Sequence, residues 1–296
     1  MGIAIFIALA LPLAAQLVEE NRVVTKRFPV TAGGAAPELA VSIVTGNIRV
    51  TSHAGSEIIL NAKVHYEAPD AAALADLQQR VRLESEQAGN NVWIGVESDG
   101  EWNSGSSRAN RPRELGWRGK TPAALSGEGG RRGRFRHDIE LQVPRAAHLK
   151  LSTVNGGSIE IDGVAGEFNL NNVNGGIDVR NGSGFGRAHT VNGPVSLGFA
   201  KAPTGPTSVK TINGKVELSL PAGLNADFKI KTFNGKVYSD FSMTGRSTEP
   251  PSAPLERGMK RIWRSNDFSH TRTGNGGPEI QLDGFNGDIY IHEKKN

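Results

Sequence analysis

Three carboxylates, Glu160, Asp178 and Glu217, stand at comparable offsets behind successive Asn-Gly pairs. Acids gathered on one strand face could cleave a glycosidic bond, one carboxyl group donating a proton and a second acting as base or nucleophile. The matching positions in other units are Ser196, Tyr238 and Tyr290, so the column is mixed and reads equally as ordinary solvated side chains. The seven histidines (53, 65, 137, 148, 189, 270 and 292) are scattered, and no pair has metal-ligand spacing beside a carboxylate. No metal site is expected. Gly182-Ser183-Gly184-Phe185-Gly186 superficially matches a phosphate-cradling loop, yet no helical pattern follows it, and it reads as a corner. With no Gly-x-Ser-x-Gly elbow and no Ser/His/Asp set, the sequence yields no catalytic residue and no cofactor.

A second chemistry is electrostatic. From Arg108 to Arg136 nine Lys or Arg stand against two acids, Glu114 and Glu128, in a stretch rich in Gly and Ser with no apolar period. That composition predicts a flexible basic insertion over residues 100–136. Arg108, Arg111, Arg113, Arg118, Arg131, Arg132 and Arg134 could bind an anionic surface, with Trp102 and Trp117 as aromatic anchors; a plain solvated loop is the competing reading. A net charge of +4 over 296 residues is too mild to argue for nucleic acid. The absence of cysteine excludes disulfides, thiolate metal sites, thiol nucleophiles and lipid attachment to an N-terminal Cys.

The elements that must position these groups are mostly strands. Ile3 to Ala15 is a nearly unbroken apolar run ending in small residues. It is short of the roughly 20 residues that span a bilayer and suits a signal peptide over residues 1–15, although no basic residue precedes it. Export is therefore expected, a buried strand or uncleaved anchor being the alternative. A block over residues 22–99 follows. Its strands are read from Arg22 to Val30, from Leu39 to Val50 and from Glu57 to Val64. Ala71 to Arg80 forms the one expected helix, with Asp70 as N-cap. Val81–Ser85 and Val92–Val96 make a hairpin about Gly89-Asn90-Asn91, and helix and hairpin together cap one end of the array.

From 137 to 296 one phrase repeats: Thr or Asn (Gly284 in the last unit), an apolar residue, then Asn-Gly. The asparagines are Asn155, Asn174, Asn192, Asn213, Asn234 and Asn286, spaced 19, 18, 21, 21 and 52 residues apart. An insertion at 246–278 accounts for the long gap. Within it Leu255, Met259, Ile262 and Trp263 share a helical face, predicting a short basic helix that could lie on a membrane or partner, or fold back on the array. Asn-Gly between alternating strands could close hairpins. The regular spacing favours an all-β solenoid, a β-helix-like stack of parallel coils of about 20 residues. In it Asn-Gly forms an αL corner, the asparagines and the threonines before them stack into ladders, and the apolar residue before each Asn points into the core. A column of Asp would repel where Asn stacks. The last strand, Asp288 to His292, would be an uncapped edge through which a second copy could pair.

The repeated T-x-N-G-x-I-x-V phrase, the strand-plus-helix block, Asp240-Phe241 before the insertion and the closing Gly-Phe-Asn-Gly-Asp-Ile-Tyr-Ile together resemble the bacterial putative-adhesin family, over roughly Arg22 to Lys294. The resemblance implies a β-solenoid-like envelope protein outside the cytoplasm, and it supplies no catalytic residues. The basic insertion departs from the pattern. The expected function is non-enzymatic contact with a glycan, envelope or anionic membrane surface. The alternatives are a polysaccharide-active β-helix enzyme using Glu160, Asp178 and Glu217, and an envelope sensory protein docking through Met259, Ile262 and Trp263.

Overall fold

The computed structural model describes residues 17–31, 33–98, 133–245, 260–261 and 265–294. The 1–15 run, Trp102, Trp117, and the arginines at 108, 111, 113, 118, 131 and 132 lie outside the described residues, as do Met259, Ile262 and Trp263.

The chain opens with β1 (Val18–Pro29), β2 (Glu38–Ser42), β3 (Ile48–His53), β4 (Glu57–Ala68), α1 (Ala71–Arg80), β5 (Val81–Ala88), β6 (Asn91–Ser98) and β7 (Arg134–Pro144). The repeats supply β8 (His148–Asn155), β9 (Ile159–Asp162), β10 (Phe168–Asn174), β11 (Ile177–Gly182), β12 (Gly186–Asn192), β13 (Val195–Phe199), β14 (Thr207–Asn213), β15 (Val216–Pro221), β16 (Ala226–Asn234) and β17 (Val237–Ser239). The chain closes with β18 (Thr244–Gly245), β19 (Lys260–Arg261), β20 (Ser265–Thr273), β21 (Glu279–Asn286) and β22 (Ile289–Lys294).

The strands form two large open sheets of 11 strands each. One runs β1-β4-β7-β3-β9-β11-β13-β15-β22-β17-β19; the other runs β18-β20-β16-β21-β14-β12-β10-β8-β2-β6-β5. Each strand before an Asn corner lies in the second sheet and the strand after it in the first. Period-two alternation explains the layering. In β8, Leu149, Leu151 and Thr153 are buried while Lys150 faces out, and β10, β12 and β14 repeat that alternation. One aliphatic core, including Leu151, Ile159, Leu170, Leu197, Val209 and Leu218, fills the space between the sheets.

The pairing is mixed. Repeat strands pair in parallel, but both sheets end in antiparallel strands: β1–β4–β7 and β17–β19 in the first, β5–β6 and β16–β20–β18 in the second. The helix forms as the sequence predicts. The Asp70 carboxylate accepts the Ala73 N–H at 2.8 Å, and Leu74 and Leu77 bury against β4 and β5. Such a cap contributes about 1 kcal/mol.

Four expectations need correction. The strand expected after the basic insertion starts inside it, since β7 begins at Arg134 and buries Phe135. Arg134 is thus strand rather than arm, with its guanidinium 3.8 Å from Glu67. The 246–278 stretch contains β20, which pairs antiparallel with β16, and Lys260–Arg261 run extended beside β17 where a helix was expected. Finally, β22 is not an edge strand. It lies between β15 and β17, so neither side is open to a second copy.

His137 on β7 is wholly buried among Tyr66, Phe135 and the helix-side core, and both ring nitrogens are without a hydrogen-bond partner among the described residues. Burial pushes its pKa down to about 4, against about 6.5 in an unfolded chain. The unfolded state therefore binds the extra proton first. Stability from this residue is present above pH 6.5 and is lost as pH falls towards 4, by up to about 3 kcal/mol. Denaturant titrations should show the parent losing more stability than His137→Leu between pH 7 and pH 4. Parallel losses in both proteins would remove His137 as the cause.

Candidate functional site

The site begins at the corners. Where successive turns stack, a corner glycine meets the backbone of the turn beside it; this is the second corner residue in each unit but the first, where Gly157 takes the place of Gly156. A Cβ on Gly193 would lie 2.3 Å from the Gly175 carbonyl oxygen, on Gly214 2.0 Å from that of Gly193, and on Gly235 2.0 Å from that of Gly287. Only a residue without a side chain fits such an approach. The expected αL geometry is not the reason for it. Among these corner glycines only Gly46, Gly156 and Gly287 have positive φ, and Asn181, away from the corners, is the one non-glycine residue with positive φ among the described residues.

The carbonyls so approached are satisfied from the strand behind. Thr190 donates to Gly175 at 2.8 Å, Thr211 to Gly193 at 3.0 Å and Thr232 to Gly287 at 3.2 Å. Thr153 reaches Gly46 in the N-terminal block, and Asn172 reaches Gly157. These hydroxyls are buried, so an unpaired carbonyl in their place would cost about 1–3 kcal/mol.

Outside the threonines runs a column of amides. Asn174 donates to Asn155 at 3.2 Å, Asn192 to Asn174 at 2.9 Å, Asn213 to Asn192 at 2.8 Å, Asn286 to Asn213 at 2.8 Å and Asn234 to Asn286 at 2.9 Å. The spatial order places Asn286 between Asn213 and Asn234. The last unit of the sequence is inserted between the fourth and fifth, because β20 folds back on the far side of β16 and leaves β21 to fill the near side.

The apolar residue before each Asn points outward, contrary to the expectation that it enters the core. Val173 and Ile212 are each 36% exposed, Phe233 44% and Phe285 47%, and they stand in line on the outer face of the second sheet. The core position falls to the Thr one residue earlier, because a strand sends alternate residues to opposite faces. The Phe233 and Phe285 rings stack at 4.9 Å with their planes 4° apart. Across the same corner, on the first sheet, Tyr238 and Tyr290 stack at 5.1 Å. The corner of the last two stacked units is thus flanked by aromatic pairs on both sheets. Sequence reasoning assigned these phenylalanines to the core; the presence of bulky rings where other units carry Val or Ile was the one available signal.

Glu160, Asp178, Ser196, Glu217, Tyr290 and Tyr238 do stand in one row of the first sheet. Each acid in it already has a cation: Arg49 at 2.9 Å from Glu160, Arg180 at 2.5 Å from Asp178 and Lys215 at 2.7 Å from Glu217. The arrangement is a solvated surface laced by ion pairs. Among the described residues no group of three or more His, Asp or Glu could hold a metal ion.

No family model and no curated protein matches the chain. Among solved structures it is similar to a putative cell adhesion protein from Clostridium sporogenes, at 13% identity and a TM-score of 0.40 over 94% of this chain and 100% of the other. It is also similar to a putative adhesin from Bacteroides fragilis, at 11% identity and a TM-score of 0.33 over 92% and 97% of the two chains. A putative lipid binding protein from Parabacteroides distasonis is similar at 10% identity, with a TM-score of 0.33 over 92% and 97%.

Two substitutions test the corner. Gly214→Ala should cost about 2–3 kcal/mol through overpacking against Gly193, read as a lowered denaturation midpoint. Asn192→Asp removes the donor to Asn174 and should cost about 1 kcal/mol at neutral pH. A protonated carboxyl can donate again, so that deficit relative to the parent should shrink as pH falls through the carboxyl pKa. Parent-like stability at neutral pH would mean the Asn192 donor contributes nothing, and a deficit independent of pH would mean that its loss is not the cause.

Proposed function

We propose that this chain is an exported, non-enzymatic β-solenoid scaffold that acts by adhesin-like contact with a cell-envelope surface, a glycan or an anionic membrane. The observation that carries the reading is the outward apolar row ending in Phe233 and Phe285. Its side chains contribute nothing to the core, yet they lie contiguous on one face, and contiguous exposed apolar surface marks contact sites on soluble proteins. Lys231 and Lys236 precede and follow the Phe233 corner and add a positive border towards anionic surfaces. Export rests on the apolar run from Ile3 to Ala15. The basic residues from Arg108 to Arg132 would add a salt-sensitive attraction. The polysaccharide-cleaving alternative is not favoured, since Glu160, Asp178 and Glu217 are each held by a neighbouring cation.

The test is binding of the mature chain to glycans, lipopolysaccharide and anionic vesicles at low and high salt. Phe233→Ser with Phe285→Ser should lower the salt-resistant part of binding about fivefold or more, while the melting temperature moves little because the rings are half exposed. Unchanged binding by the double variant would place contact elsewhere.

A further inference from the structure

On the same outer face, two rows further from the corner, β10, β12, β14 and β21 enclose a shallow groove of about 590 Å³. That volume falls in the range of small-ligand sites, roughly 300–1,000 Å³. We propose that this groove binds an acidic oligosaccharide, a sugar chain bearing carboxylate or sulfate, with Arg187 as the anion-binding group. The inference does not rest on the apolar row.

Four observations carry it. First, Arg187 is one of two strand cations of this face without a carboxylate; the other, Lys231, lies over the Phe268 ring. Lys150 lies 2.6 Å from Glu38, Lys229 2.7 Å from Glu279 and Lys210 3.7 Å from Asp283, whereas Arg187 has no carboxylate partner among the described residues. An exposed guanidinium without a partner presents two parallel N–H donors, the fork that fits a carboxylate or sulfate.

Second, its neighbours are uncharged hydrogen-bonding groups suited to hydroxyls. Asn169 and Ser208 flank Arg187 in register, and Gln281 follows Ser208 on β21. Asn171 donates to Asn169 at 3.0 Å, which fixes both amides and leaves the Asn169 donor and the Asn171 acceptor for a ligand. Third, His189 lies between Asn171 and Lys210 in register, and its Nε2 is buried without a hydrogen-bond partner among the described residues. A buried polar atom left unpaired is satisfied when a ligand hydroxyl reaches it. Desolvation, and then the Lys210 charge, hold this imidazole below its ordinary range, so it is neutral at neutral pH and offers a donor and an acceptor.

Fourth, the lining is poor in apolar surface, Ala188 and Pro206 being its only apolar residues, so a lipid tail or an apolar helix gains little there. Strands about 4.8 Å apart present polar groups at a regular pitch, and a polymer crossing them meets a new set at each strand. Glu279 at the rim is neutralised by Lys229 and does not oppose an anion at Arg187.

Calorimetric titration of the full chain with oligogalacturonate, a heparin-derived hexasaccharide, a neutral glucan of equal length and inorganic phosphate tests the proposal. At least one acidic oligosaccharide should bind about tenfold or more tighter than the neutral glucan and than phosphate. Arg187→Gln should weaken that binding about tenfold or more, and Arg187→Lys by less, since the charge stays and the fork goes. Lys63→Gln on the first sheet should leave it unchanged. The proposal is overturned if no acidic oligosaccharide binds at millimolar concentration, if Arg187→Gln binds within twofold of the parent, or if the neutral glucan or phosphate binds as well. Displacement by phosphatidylglycerol vesicles as effectively as by free saccharide would reassign the groove to lipid headgroups.

Discussion

The structure depends on one close approach, the contact of one glycine at each corner (Gly157 rather than Gly156 at the first) with the carbonyl of the glycine beside it. Strands stacked in a sheet are separated by the backbone hydrogen-bond spacing, and a corner that keeps this spacing brings main chain directly over main chain. There is no room for a Cβ, and the carbonyl pressed from one side must be satisfied from another. The buried Thr190, Thr211 and Thr232 hydroxyls do that. The amide column outside them holds adjacent turns in register, because each Asn between its two ends both donates and accepts. Glycine, threonine and asparagine therefore recur together for one reason. Each solves part of the problem set by the corner.

That constraint governs order in space but leaves order in sequence free. The last unit of the sequence occupies the fifth rung, between Asn213 and Asn234. Gly284 stands where other units carry Thr or Asn, in line with Thr211 and Thr232. The ends of the sheets obey different rules. There a strand would expose its unpaired amides, and the chain finishes each sheet with antiparallel pieces that do not carry the phrase. The long β1 on β4, the β5–β6 hairpin and the short β18 and β19 all serve in this way.

Much of this was legible in the residues. The helix could be read because Asp70 and a run of helix formers act locally, and the strands because period two is a local property. The amide column followed from a spacing that hardly varies. What escaped reading depends on non-local pairing or on one residue of phase. The position of Asn286 cannot be deduced from a 52-residue gap, since the gap has the same length wherever the unit docks. The apolar residue before Asn looked like core because the phrase holds two candidates, Thr and Val or Phe. Hydrophobicity favours the wrong one. The carbonyl beneath needs a hydroxyl, so the threonine goes in and the ring goes out. The acids at 160, 178 and 217 were placed in the right row, but the cations that hold them come from Arg49, Arg180 and Lys215, and only Lys215 and Arg180 are sequence neighbours of their partners.

The same geometry limits where function can sit. The inward side chains of the described residues are mostly aliphatic and buried in one core. The two outer faces differ. On the first sheet most acids sit beside a cation, and the charges are spent on one another. On the second, cations and amides outnumber acids near Arg187, and an apolar row runs beside them to the stacked Phe285 and Phe233. A surface built in repeated rungs presents the same kind of contact several times in succession. Weak contacts in such a row add along an extended partner and gain little from a compact one, which is why a polymer or an envelope surface suits this face better than a single small molecule.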